Sequence, residues 1–140
     1  MPKRSTRSVA DGLRPDIIVD FNCARGLLFV LLKNIGERSA YSVCTTFDKP
    51  LVGLGGQKRI SELQLFRRVE FVPPGKEFSQ LIDPVAAWFK QDRPLQYTIT
   101  ISYDDRDGQH FQERIVHNLE IYKDLGNISI SGGDYDQSAS

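Results

Sequence analysis

Few residues of this 140-residue chain are of a type and spacing that performs chemistry. Asp105-x-Asp107-Gly108 sets two carboxylates two apart before a turn-forming glycine, like half of a calcium-binding loop. Tyr103 stands where that loop needs its first ligand and Arg114 where it needs a bidentate glutamate, so a hairpin turn is the better account. His110 and His117 fall on one predicted strand at odd spacing, face opposite sides by its period of two, and cannot converge on a metal. Cys23 and Cys44 have no neighbouring His, Asn or helix start that would mark a nucleophile, and no serine lies in G-x-S-x-G. The residues therefore predict no catalytic site, no cofactor and no metal.

Two segments invite a binding role instead. Gly53, Gly55 and Gly56 before Gln57-Lys58 lack the Gly-Lys-Ser/Thr ending of a phosphate loop and read as a flexible connection. Lys58-Arg59 and Arg67-Arg68 follow, with Phe66, Val69 and Phe71 interleaved. Cations on an edge strand block aggregation, which is the plainer role; the functional version is a docking strip, made of Lys58, Arg59, Phe66, Arg67 and Arg68, for an acidic partner or for the protein's own Asp-rich tail.

These residues hang on a strand-rich chain. Ile17, Val19 and Phe21 alternate with Asp16, Ile18 and Asp20, and the apolar run 27–32 begins a second strand over 27–35. That run predicts burial on much of both faces, hence a central strand and a poor place for a partner. A third strand over 40–47 sets Tyr41, Val43 and Phe47 on one face and Ser42, Cys44 and Thr46 on the other. Residues 59–66 fit a helical turn or a short edge strand equally. Strands over 69–72 and 76–82 flank Pro73-Pro74-Gly75. Asp83 as N-cap and Pro84 as first residue open a short helix over 84–91, with Val85, Trp88 and Phe89 on one face. Tyr97, Ile99, Ile101 and Tyr103 alternate cleanly, and Phe111, Ile115, Leu119 and Ile121 continue a final long strand. Tyr97 sits like the structural tyrosine of a sandwich corner. The fold class expected is all-β: an immunoglobulin-like antiparallel β-sandwich of about seven strands with one short connecting helix.

Composition sets the remaining bounds. With 40% hydrophobic and 26% charged residues, a single domain over 15–123 buries its core without staples. A flexible basic arm over 1–14 and a flexible acidic tail over 124–140 flank it. Zero formal net charge supplies no global field for nucleic acid or an anionic membrane. No apolar run spans a bilayer and no h-region follows the N-terminal cations, so the expected compartment is the cytoplasm, where the cysteines stay buried thiols.

Lys33-Asn34-Ile35-Gly36 with Ala40 and Val43 resembles the N-x-G-x-x-x-A-x-x-V pattern of bacterial CARDB-like domains. Pro74-Gly75-Lys76-Glu77 is similar to their mid-domain turn, and Tyr103-Asp104 with Asp107-Gly108 to their last hairpin. The resemblance covers about 15–122 and implies an immunoglobulin or fibronectin type III-like sandwich, with no catalytic residues to carry over.

The function expected is a non-enzymatic protein–protein interaction module, an adaptor or assembly subunit that binds a partner or itself by an exposed sheet edge or the 53–68 loop. The alternative is an accessory subunit that contacts nucleic acid or a larger assembly through its charged termini. No membrane and no small-molecule substrate is expected.

Overall fold

A computed structural model describes residues 13–125. The predicted arm over 1–14 and tail over 124–140 lie largely outside that range, as do Ile128 and Ile130. Arg14, the last residue of the arm, is held: it ion-pairs with Glu113 at 2.9 Å and lies 4.6 Å over the Phe111 ring.

Nine strands follow in order: β1 (Ile17–Ala24), β2 (Leu27–Asn34), β3 (Ala40–Phe47), β4 (Val52–Gly53), β5 (Lys58–Arg59), β6 (Val69–Val72), β7 (Glu77–Pro84), β8 (Gln96–Asp104) and β9 (His110–Asn118). Seven of them form two antiparallel sheets, ordered β1-β2-β7 and β6-β3-β8-β9, and β4 and β5 make a small hairpin. This is the expected all-β sandwich. Inward residues of alternating strands interlock between the sheets: Ile17, Val19, Phe21, Leu28, Val30 and Leu32 from one, Val43, Ile99, Ile101 and Tyr103 from the other. Phe21 meets Tyr97 across the gap at 6.2 Å.

Three short helices accompany the sheets rather than one: α1 (Gln64–Arg67), α2 (Val85–Lys90) and α3 (Glu120–Leu125). The open question over 59–66 resolves as helical, a 3-10 turn at Ile60–Glu62 and then α1. The end of the chain departs from the expected long strand. Asn118 Oδ1 accepts the Glu120 N–H at 2.9 Å and turns the backbone into α3, leaving Ile121 exposed.

Two bulges set the facing of side chains. Ser42 takes a φ of 53°, and the β3–β8 register shifts between Tyr41 and Cys44. Val43 and Thr45 therefore stay inward while Tyr41 turns outward, its ring tilted against half-exposed Phe71 at 5.4 Å instead of sharing the Val43 face. The β2–β7 register likewise shifts at Leu28/Phe29, so Ile82 and Asp83 are both buried. Asp83 is thereby drawn away from α2, whose N-cap is Pro84 without a side-chain bond; its Oδ1 accepts the Gly55 N–H at 3.0 Å. The glycine loop is consequently anchored, not loose. A Cβ at Gly53 would collide with the Ile82 carbonyl, and Leu51 and Ile60 on either side are fully buried.

Asn34, buried at the end of β2, ties four segments together. Its Oδ1 accepts the N–H groups of Asp16 and Gly36, and its Nδ2 donates to the carbonyls of Arg38 at 2.8 Å and Val72 at 2.9 Å. Its backbone carbonyl accepts the Gly75 N–H at 2.8 Å. Gly36 must be glycine because a Cβ would strike the Arg14 carbonyl and the Asp16 nitrogen. Asn34→Ala strands the buried Val72 carbonyl along with the turn amides, and should lower unfolding free energy by about 3 kcal/mol or more, read by urea titration. A loss below about 1 kcal/mol would show the turn holds without it. Burial pushes the Tyr97 phenol up to about 12 from 10. A raised phenol keeps its full contribution below pH 10 and loses it through pH 12, so stability should fall across that window by about 2–3 kcal/mol, and less in Tyr97→Phe.

Candidate functional site

The residue types that could perform chemistry are held in structural bonds. Asp105 Oδ1 accepts the Asp107 and Gln109 N–H groups, each at 2.9 Å, closing the β8–β9 turn as a hairpin. His110 and His117 do face opposite sides of β9. His110 pairs with Asp104 at 2.7 Å on the outer face, and His117 Nε2 meets the Val19 carbonyl at 2.8 Å on the inner one. Among the described residues, no group of three His, Cys, Asp or Glu side chains is placed to hold a metal ion. Both cysteines are free, and burial pushes the Cys23 thiol up, away from the thiolate.

The predicted basic strip does not assemble as one surface. Lys58 and Arg59 lie on the β4–β5 hairpin, where Lys58 donates to Gln80 Oε1 at 3.4 Å and Arg59 pairs with Glu62 at 3.2 Å. Arg67 and Arg68 lie instead at the β6 edge of the other sheet. Arg67 is exposed; Arg68 bonds Glu70 at 2.6 Å and Ser42 Oγ at 3.0 Å, so its charge is already answered. Phe66 is corrected outright: α1 turns it fully inward against Phe47 at 5.0 Å, because helical spacing replaced the alternation expected of a strand. It belongs to the core.

The unexplained surface lies elsewhere, on the outer face of β1-β2-β7. Register sets Ile18, Lys33 and Glu77 in one row, Asp20, Leu31 and Ser79 in the next, then Asn22, Phe29 and Leu81, then Ala24, Leu27 and Pro84. Ile18, Leu27, Phe29, Leu31 and Leu81 are all part-exposed, and none belongs to the core or packs against it. The buried side chains of α1 and α2 all point into that core, as do Leu51 and Ile60 on either side of the hairpin, so among the described residues none of these elements supplies a second layer here. The outer face of the other sheet shows what an ordinary solvent face looks like in this molecule. Its rows read Thr46, Thr100, Arg114 and Cys44, Ser102, Gln112, small or polar throughout, with Tyr41, Phe71 and Val116 at its margins. One sheet is finished for water and the other carries a central apolar stripe.

The run 27–32 thus has one face in the core, Leu28, Val30 and Leu32, and one on the surface, Leu27, Phe29 and Leu31. The expectation that it is buried nearly all round holds in full for the first face and only in part for the second, whose side chains stay part-exposed. The signal was present in the sequence: an apolar run on a strand needs a layer on each side, and the helical segments are too few to supply one.

A family model described as a domain of unknown function, DUF8453, matches residues 3–123. No curated protein and no solved structure matches. No helix among the described residues is long and apolar enough to cross a membrane.

The burial difference within the predicted strip is measurable. Phe66→Ala should cost about 3–5 kcal/mol in denaturant titrations, whereas Arg67→Glu with Arg68→Glu, at exposed positions, should leave the denaturation midpoint close to that of wild type. Equal costs would contradict the inward placement of Phe66.

Proposed function

We propose that this chain, which belongs to the DUF8453 family of domains of unknown function, is a non-enzymatic protein–protein interaction module whose contact surface is the outer face of β1-β2-β7. One observation carries the reading: Leu27, Phe29 and Leu31 stand in a row on the central strand, flanked by Ile18 and Leu81, outside the core of the molecule. Full burial of such a side chain is worth about 1.5–3 kcal/mol, and the part of that still open at five adjacent part-exposed side chains is what a partner would recover.

The size of the face selects the occupant. Three strands of eight residues measure about 26 Å by 14 Å. That is the footprint of one helix about 10–12 Å across and four to five turns long, and it falls short of the ~800 Å² that each side of a stand-alone dimer buries. The partner is accordingly a protein that lays a single amphipathic helix along β2. Asp20, on the flank of the stripe with a half-exposed carboxylate, favours a cation beside the helix's apolar side. The likeness to CARDB-like domains fits this role, as does residence in the cytoplasm with free thiols.

Affinity purification from the native host, with wild type and Phe29→Ser/Leu31→Lys compared quantitatively, tests the reading. The protein recovered by the wild type should be lost from the face variant by tenfold or more and kept by Arg67→Glu/Arg68→Glu, both variants remaining folded. Retention by the face variant, or loss only in the arginine variant, would return the contact to the β6 edge.

A further inference from the structure

The β1 strand is at the edge of its sheet, and edges with free backbone groups recruit other strands. The Ile35 N–H bond to the Asp16 carbonyl, 2.8 Å, fixes which residues of β1 face β2: the even-numbered ones. Val19 and Phe21 therefore aim their backbone groups away from the sheet. Three of those outward groups are nevertheless taken. His117 Nε2 donates to the Val19 carbonyl at 2.8 Å, the Tyr122 hydroxyl to the Phe21 carbonyl at 2.8 Å, and the Phe21 N–H to Asp20 Oδ1 at 2.8 Å. The two distant side chains are braced where they stand, His117 edge-on to the Phe21 ring at 5.0 Å and Tyr122 packed against the core from α3.

We infer that His117 and Tyr122 form a side-chain latch that closes the β1 edge, and that the strand it excludes is β1 of a second copy. Beside its contact with core groups, each residue places a donor on an acceptor that a strand would otherwise use. Two-fold antiparallel pairing of β1 with itself would satisfy the same Val19 and Phe21 groups in both copies. Zero net charge offers no long-range repulsion to prevent it. The latch acts at an edge, not on the outer face of the sheet, so it stands whether or not that face binds a helix.

The test is solution mass against concentration for the full chain, by sedimentation or light scattering. Wild type should keep one mass, while His117→Ala/Tyr122→Phe should rise toward twice that mass over the micromolar to millimolar range. His117→Gln/Tyr122→Phe, which restores one donor over Val19, should shift the association at least tenfold to higher concentration. A folded double variant that keeps the wild-type mass overturns the inference, as does a wild type that already pairs through β1. Tyr122→Phe alone removes only a hydroxyl and guards against misfolding: it frees the Phe21 carbonyl, so it should associate at concentrations between those of wild type and the double variant, and a wild-type mass over the whole range also overturns the latch.

Discussion

Everything at one end of the sandwich depends on the amide of Asn34. A side-chain amide offers two acceptor sites and two donors, and here each finds a backbone partner: the start of β1, the turn into β3, and the last carbonyl of β6 in the opposite sheet. It is thus a polar tie between two layers otherwise joined by apolar packing. Because it is buried, the tie is costly to leave unmade, so it fixes the approach of Gly36 to the Arg14–Asp16 backbone and the seat of the Pro74–Gly75 turn. Asn34, Gly36, Ala40, Val43 and Gly75 are the tie, the close approach, two core positions and the turn that feeds it. They report architecture, and none of them reports an activity.

The two sheets divide labour in a way that architecture alone does not require. The four-stranded sheet exposes hydroxyls and charges, and its aromatic corner, Tyr41 on Phe71, exists because the Ser42 bulge turns Tyr41 out. A non-glycine residue at positive φ costs about 1–3 kcal/mol, which the surrounding ladder sustains. The three-stranded sheet has the opposite finish, and the contrast inside one molecule is a better guide to contact than exposure of any single side chain.

Regular alternation was readable from residues alone: β1 and β8 followed from a period of two, β2 from its apolar run, and the sandwich from the number of strands. Facing failed at Tyr41, beside the residue added at Ser42, because a bulge reverses the facing across it and leaves no compositional mark. Asp83-Pro84 looked like a helix cap since Asp at that position has a strong local preference; burial by the register shift at Leu28/Phe29 outweighed it. Phe66 was misplaced for a related reason: interleaved Arg and Phe suit a strand edge and a single helical turn equally, and only packing against Phe47 decides. The apolar outer stripe was visible as the run 27–32, but its meaning hung on whether a second layer existed, which is a property of the whole chain.

Closing the corner between β1 and β9 with side chains also sets an order in time. Tyr122 reaches Phe21 from 101 residues further along the chain, and His117 reaches Val19 from 98. At ribosomal rates of about 5–20 residues per second, β1 and β2 emerge roughly 5–20 s before the groups that cap the edge exist. During that interval the nascent hairpin has both an open edge and an apolar outer face, so its safety rests on the ribosome and on chaperones. The finished molecule guards with later-made residues an edge that it makes earlier.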